Sequence, residues 1–283
     1  MRTLKMQDAA AMLSVSPSAL RSWERRFGYP APMRSAGGHR HYAHGEISAL
    51  RDALEQGLSI SSAIGRARAA LVGTTPESLT RALLALDYLR ADAAMEAALA
   101  LRTLDRAVEE VLLASLAEVG ARTQLGSAPW ALAAAWATQW LTRARRLCPE
   151  PWGLATILVG DATRELKLDA LNVRALELLC IRAGASVVTL PVDALAGLPE
   201  TLRTVRPDVL VVAGSDADHD VVARWTYSVA RSLGGRPLVR YRRPGPAGGS
   251  GHAGVLPGAP SGAQQRLSEL ALRAPREPQS RTG

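Results

Sequence analysis

The feature that most constrains the fold is an alternation of short apolar runs with helical patterns between residues 153 and 240. The apolar runs predict buried strands at residues 154–159, 186–190, 208–213 and 237–241. The segments between them predict helices at residues 168–183, 198–205 and 221–233. Strands and helices that alternate in this way form parallel βαβ units. The pattern therefore predicts a Rossmann-like parallel sheet.

The segment that precedes this sheet is rich in alanine and leucine. Between residues 76 and 150, apolar side chains recur at helical spacing, as at Leu79, Leu83 and Leu86. A linker at residues 73–76 supplies Thr75 as a helix N-cap and Pro76 as a first helical residue. We expect a four-helix bundle in this segment.

The segment that follows the sheet has a different composition. Residues 243–263 are rich in glycine, proline and serine, which predicts a long loop. A short helix is predicted at residues 267–272, and a disordered tail from residue 274 onwards.

Composition excludes several classes of protein. No apolar run reaches the roughly 18 residues that a membrane-spanning helix needs, and no apolar stretch typical of a signal peptide follows Met1. Cys148 and Cys180 supply neither a disulfide framework nor the spacing of a zinc site. We therefore expect a cytoplasmic protein with no membrane partner.

Positive charge is concentrated near the N-terminus. The net charge of the chain is +8. Between residues 21 and 51, only Glu24 and Glu46 oppose the basic side chains, which are Arg21, Arg25, Arg26, Arg34, Arg40 and Arg51, with His39, His41 and His44 among them. A focused basic patch of this kind is typical of a nucleic-acid-binding surface.

The same segment has the pattern of a helix-turn-helix. A first helix is predicted at residues 3–13, and a tight turn follows, with Ser16 as N-cap and Pro17 at the first helical position. The second helix, predicted at residues 18–27, places Arg21 and Arg25 one turn apart. Their shared face suits the major groove of DNA.

A hairpin wing is predicted beyond the second helix, at residues 34–42. Gly37 and Gly38 supply its turn. His39, Arg40 and Tyr42 follow the turn, and we expect them to grip phosphates.

These motifs resemble the MerR family of transcriptional regulators. The resemblance rests on residues 18–28, on Arg34, on residues 38–42 and on Glu46, which opens the next helix. It implies that the chain binds double-stranded promoter DNA and associates with itself. The implied DNA-binding residues are Ser16, Ser18, Arg21, Trp23, Arg25, Arg26, Arg34, His39, Arg40 and Tyr42. For Trp23, and for its neighbour Phe27, the alternative is a role in the small hydrophobic core.

The domain order as a whole resembles the cobalamin-dependent light-sensing repressors of that family. They bind adenosylcobalamin between a helical bundle and a Rossmann-like domain. A tryptophan followed ten and eleven residues later by a Glu-His pair covers the upper face of the corrin, and the histidine of a His-x-x-Gly motif ligates cobalt from below.

The residues of this chain depart from that pattern. Alignment places Thr123, Ala133 and Ala134 at the upper-face positions, and Asp169 and Asn172 at the two ends of the lower motif. A carboxylate is a poor replacement for imidazole on cobalt. We therefore predict that the chain binds no cofactor. The resemblance implies adenosylcobalamin, but the position of its axial ligand is occupied by Asp169. The alternative is a repressor that still depends on cobalamin and responds to light, with the cofactor held base-on or through His219.

Three tryptophans lie near the substituted upper-face positions. Trp130, Trp136 and Trp140 either fill the space of a former cofactor cavity or form the walls of a pocket for an unidentified small effector. Asp161, Ser215 and Asp216 follow strands and would supply polar contacts at the sheet edge.

We therefore expect a multidomain chain of class α and α/β. It comprises a winged helix-turn-helix at residues 1–72, a helical bundle at 76–150, a Rossmann-like domain at 151–273 and a disordered tail at 274–283. The predicted function is transcription regulation with a degenerate cobalamin-binding-like sensory domain. An enzyme is not expected, because no pair of carboxylates and no nucleophile–base constellation is present.

Overall fold

The chain is described in a computed structural model. The structure describes residues 3–34, 39–72, 75–151, 153, 155–233, 235–243 and 252–273. The chain divides into two compact units, Met1–Ser115 and Leu116–Gly283. We describe each unit by itself.

The first unit begins with a winged helix-turn-helix. Its elements are β1 (Thr3–Lys5), α1 (Met6–Met12), α2 (Pro17–Phe27), β2 (Met33–Arg34), β3 (Arg40–Ala43), α3 (His44–Glu55) and α4 (Ile60–Val72). The three strands form an antiparallel sheet in the order β1-β3-β2. The predicted hairpin is confirmed by the β2–β3 pairing, and its turn at Gly37 and Gly38 lies outside the described residues.

The prediction that the first helix starts at Thr3 was wrong. Residues 3–5 form β1, which pairs with β3 so that Leu4 lies opposite Tyr42. An isolated strand of three residues has no stability of its own, and only a partner from the wing makes it a strand. The helix α1 then begins at Met6.

The second helix of the motif starts and ends as predicted. The Ser16 hydroxyl accepts a hydrogen bond from the Ala19 backbone at 3.1 Å, and Pro17 occupies the first helical position. Gly28 ends the helix with φ of 62°, a left-handed conformation that glycine adopts without strain. Leu20, Ile47 and Leu50 are fully buried in the core beneath it.

Helices continue after the winged domain. They are α5 (Pro76–Leu84), α6 (Tyr88–Leu101), α7 (Leu104–Ala107), a π-helical segment (Val108–Leu113), α8 (Ala114–Thr123) and α9 (Ala128–Arg146). The predicted helical character of this segment is confirmed. Thr75 occupies the N-cap position of α5 but makes no side-chain capping hydrogen bond. Leu86, expected on a helix face, lies beyond the end of α5 and is exposed.

The second unit contains the predicted parallel sheet. Its further elements are β4 (Thr156–Asp161), α10 (Leu168–Arg182), β5 (Ser186–Pro191), α11 (Leu198–Val205), β6 (Val209–Ala213), α12 (His219–Leu233), β7 (Leu238–Tyr241), β8 (His252–Val255) and α13 (Pro260–Arg273). The strands are parallel in the order β5-β4-β6-β7-β8. In the sheet, β5 lies on one side of β4, and β6 lies on the other side. Open parallel sheets of this class bind ligands at the point where the strand order reverses in this way.

The long loop expected at residues 243–263 was wrong in its second half. Residues 252–255 form β8, which pairs with β7, and α13 begins at Pro260. Ala263, Leu267 and Ala271 recur every four residues, and they are buried where α13 packs against α10. The glycine-rich composition of this segment does not indicate a strand. Residues 252–255 form one because they pair with the edge of β7. The tail at residues 274–283 lies outside the described residues.

Within the described part of the chain, no helix is both long enough and apolar enough to cross a bilayer.

Candidate nucleic-acid interface and sheet-edge site

The second helix of the winged domain presents its basic side chains outward. Arg21, Arg25 and Arg26 are exposed, as are Ser16 and Ser18 at the start of the helix. Arg21 and Arg25 lie four residues apart and share one face of α2. Trp23 is buried in the core of the winged domain, so its indole is a packing side chain in this conformation.

The wing adds a second basic element beside α2. His39 is exposed and Arg40 is partly exposed. Arg34 lies in β2, and its side chain is outside what the structure describes. Tyr42, expected to grip a phosphate, is fully buried, and its hydroxyl donates a hydrogen bond to Glu24. Burial and this bond raise the pKa of Tyr42 above its ordinary range. In this conformation Tyr42 is a core residue.

Glu24 was predicted from the sequence only to oppose the positive charges around it. Its side chain is 9% exposed, and Glu24 Oε2 lies 3.3 Å from Arg40 Nε. It therefore joins α2 to two residues of β3, Arg40 and Tyr42. An acidic residue inside an arginine-rich helix is the signal that could have drawn attention to it.

Helix α4 contacts the carboxyl end of α2. Arg68 donates a hydrogen bond of 2.5 Å to the Phe27 carbonyl, and its guanidinium lies 5.5 Å from the centre of the Tyr29 ring. The Tyr29 hydroxyl donates to the Glu46 carbonyl at 3.2 Å, and Glu46 Oε2 accepts from the Ala31 backbone at 3.1 Å. Burial raises the pKa of Glu46. These contacts hold the C-terminal end of α2 in place.

The carboxyl edge of the parallel sheet is occupied by the protein's own hydrogen bonds. The Ala162 carbonyl, after β4, accepts from the backbone of Asp216 at 3.0 Å and of Ala217 at 2.9 Å, both after β6. Asp161 Oδ1 accepts from the backbone and the hydroxyl of Thr163, at 2.8 and 2.7 Å. A Cβ atom at Gly214 would lie 2.2 Å from the Thr163 methyl carbon. The two loops are therefore bonded and packed together at the switch point.

Asp169, at the position of the implied lower ligand, is committed to other groups. Its Oδ1 lies 2.7 Å from Arg242 Nε, and its Oδ2 accepts from the Ser215 hydroxyl at 3.1 Å. Asn172 is buried, and its amide donates to the Leu168 carbonyl at 2.8 Å. A carboxylate already paired with an arginine is a poor ligand for cobalt. In this structure Asp169 and Asn172 are thus bonded to other groups of the protein.

The upper-face positions offer no group for a corrin either. The Thr123 hydroxyl donates to the Val119 carbonyl at 2.8 Å within its own helix. Ala133 and Ala134 are fully buried methyl groups on α9. None of these three side chains presents a free polar group.

The three tryptophans of α9 are all buried. Trp130 donates through Nε1 to the Leu166 carbonyl at 2.6 Å, which fixes the plane of its indole. Trp136 and Trp140 share a face of α9, as their spacing predicted. In this conformation they are core side chains. An aromatic-walled ligand pocket stays a prediction, since it would require these indoles to separate.

His219 is the first residue of α12, and it is exposed. It follows β6, so it lies on the carboxyl side of the sheet. Among the described residues, no group of three or more His, Cys, Asp or Glu side chains is placed to hold a metal ion.

The fold and exposed face of the first unit define a winged helix-turn-helix domain with a basic second helix. Residues 5–42 match the family model described as MerR family regulatory protein. The chain is 37% identical over 81 residues to the HTH-type transcriptional repressor CarA of Myxococcus xanthus, covering 27% of this chain and 28% of that protein.

A second relative extends the similarity beyond the winged domain. The chain is 27% identical over 148 residues to the HTH-type transcriptional repressor CarH of Myxococcus xanthus, covering 44% of this chain and 50% of that protein. The matched region thus spans half or less of each relative. The N-terminal region is a MerR-family domain, and the chain resembles MerR-type repressors.

Proposed function

We propose that this protein is a sequence-specific DNA-binding transcriptional regulator. The observation that carries the proposal is the exposed Arg21–Arg25 face of a capped helix, with Arg40 beside it on the wing. The similarity to two HTH-type transcriptional repressors supports the same function.

The geometry suggests how the domain engages DNA. Helix α2 enters the major groove, where Arg21 and Arg25 reach base edges and adjacent phosphates. Ser16 and Ser18 lie at the N-terminus of α2, where backbone N–H groups favour a phosphate. Arg40 and His39 follow the backbone from the wing.

We propose that binding to promoter DNA requires self-association. A single winged domain presents a small interface, whereas two domains on half-sites one helical turn apart combine their affinities. Light-scattering mass with and without operator DNA tests this. A strict monomer in both conditions contradicts it.

For the C-terminal domain, we propose that it does not bind adenosylcobalamin and senses another small molecule or none. Three observations support this: the Asp169–Arg242 ion pair, the buried Asn172 side chain, and the bonded loops after β4 and β6. No enzymatic activity is proposed for this domain.

The DNA-binding proposal is tested with a duplex that the protein itself selects from a random pool. Arg21→Ala and Arg40→Ala should each weaken binding, with a base contact contributing roughly 1–3 kcal/mol and each lost phosphate contact lowering the salt slope by about one. Gel shifts at two salt concentrations measure both effects.

Arg122→Ala is the matched control, because Arg122 is an exposed arginine of the second unit that pairs with Glu118 at 2.6 Å. Unchanged affinity in both test variants overturns the assigned surface. Failure to enrich any duplex overturns the function itself.

The cofactor proposal is tested by mixing the protein with excess adenosylcobalamin in the dark, desalting it and recording the visible spectrum. We expect no retained corrin, and no effect of light on oligomeric state or DNA affinity. A retained one-to-one chromophore refutes the proposal and makes His219 the replacement ligand to examine.

A further inference from the structure

Glu24 occupies an unusual place for an acidic residue on a DNA-binding helix. It lies between Arg21 and Arg25 in sequence, yet its side chain is only 9% exposed. It faces the wing, where the Tyr42 hydroxyl donates to its Oε1 and Arg40 Nε lies 3.3 Å from its Oε2. One carboxylate thus connects α2 to both residues.

The burial of this carboxylate has an energetic consequence. A buried charge is costly unless it is paired and hydrogen-bonded, and Glu24 has both kinds of partner. Tyr42 is fully buried. Apart from Glu24, the only acceptor for its hydroxyl among the described residues is the Met6 sulfur at 3.3 Å, which is a weak acceptor. The three side chains therefore depend on one another, and together they fix the angle between α2 and β3.

The contact also restrains Arg40. Its Nε atom is buried and makes no hydrogen bond among the described residues, so Glu24 holds it by the ion pair alone, while 36% of the Arg40 side chain is exposed. The exposed part therefore does not include the atom that faces Glu24. A guanidinium restrained by an ion pair loses less conformational freedom when its donors meet a phosphate.

We propose that Glu24 is a positioning residue for DNA recognition, which holds the wing against α2 and presents Arg40 to the DNA backbone. The proposal rests on the DNA-binding function proposed above. Glu24 itself does not contact DNA in this scheme, and its effect on affinity passes through Arg40.

The test is a double-mutant cycle with Glu24→Gln and Arg40→Ala, measured on the selected duplex and on a scrambled duplex of equal length and composition. Glutamine retains an acceptor for the Tyr42 hydroxyl but loses the charge that holds Arg40. We expect Glu24→Gln to weaken binding to the selected duplex by about fivefold to tenfold, within the range of coupled contacting residues. Binding to the scrambled duplex should weaken by a similar factor, since a phosphate contact made by Arg40 does not depend on the base sequence.

In the Arg40→Ala background, Glu24→Gln should have no further effect on affinity. Thermal unfolding of each variant separates a loss of fold from a loss of positioning, and Tyr42→Phe provides a second variant that removes one bond without changing charge. Equal loss from Glu24→Gln with and without Arg40 overturns the positioning role while leaving the DNA-binding function standing. Unchanged affinity in Arg40→Ala alone also overturns the positioning role, whereas failure of the wild type to enrich any duplex overturns the DNA-binding function.

Discussion

The ion pair between Asp169 and Arg242 allows a quantitative prediction about the sheet-edge site. Its N–O distance is 2.7 Å, and the arginine and aspartate side chains are 30% and 23% exposed. Fully exposed pairs contribute roughly 0–1 kcal/mol, whereas breaking a fully buried pair costs about 3–5 kcal/mol. The two side chains are about a quarter exposed, so solvent partly screens their charges. We therefore expect a coupling energy between Asp169 and Arg242 of about 1–2 kcal/mol.

The perturbations are Asp169→Asn, Arg242→Met and the double variant, with urea unfolding as the assay. Asn keeps an acceptor for the Ser215 hydroxyl, so the cycle isolates the charge interaction with the arginine. The double variant should be about 1–2 kcal/mol more stable than it would be if the two substitutions destabilised the protein independently.

A matched control lies in the same unit. Glu200 and Arg203 also form a pair with a distance of 2.7 Å, but their side chains are 67% and 70% exposed. The same cycle on this pair should give about 0.5 kcal/mol or less. Equal coupling in the two pairs would refute the reasoning that partial burial strengthens the contact of Asp169.

Three further predictions concern packing, capping and pH. Gly160→Ala should destabilise the protein by about 1–3 kcal/mol in thermal or urea unfolding, because the new methyl would lie 2.7 Å from the fully buried Trp225 ring. Gly65→Ala is its control: nothing lies within 4 Å of the added methyl, and a helical alanine should stabilise by up to about 1 kcal/mol. Ser16→Ala should cost about 1 kcal/mol by loss of the α2 cap, whereas Ser16→Thr should retain most of it in the same assay. Burial raises the pKa of Glu177 above its ordinary value of 4.5, so the folded state binds the proton more tightly than the unfolded chain. The stability of the wild type relative to Glu177→Gln should therefore rise as the pH is lowered from neutral towards 4.5, and a pH-independent difference would contradict this.

The regular elements could be predicted from the sequence because their causes are local. The Ser16 cap and Pro17 start α2 wherever the chain lies, and the apolar runs of the parallel sheet stand out because both faces of such strands are buried. The basic face of α2 follows from the spacing of Arg21 and Arg25 alone. These features placed the candidate DNA interface without any tertiary information.

Elements that exist only because of a partner could not be predicted in this way. Residues 3–5 are a strand because β3 lies beside them, and residues 252–255 are a strand because β7 has a free edge. The sequence pattern predicted a helix in the first case and a loop in the second. Pairing across the sheet overrides that preference, since it satisfies backbone groups that a local pattern leaves open.

Tertiary structure likewise determines which polar side chains at the two candidate sites are already paired. The sequence determined that Asp169 stands where a histidine ligand is implied, but its partner Arg242 lies 73 residues further along the chain. It likewise determined that Tyr42 follows the wing turn, but the tertiary structure buries the ring and directs its hydroxyl to Glu24, 18 residues earlier. Whether a polar side chain is free to bind or already paired depends on neighbours that only folding brings within hydrogen-bond distance.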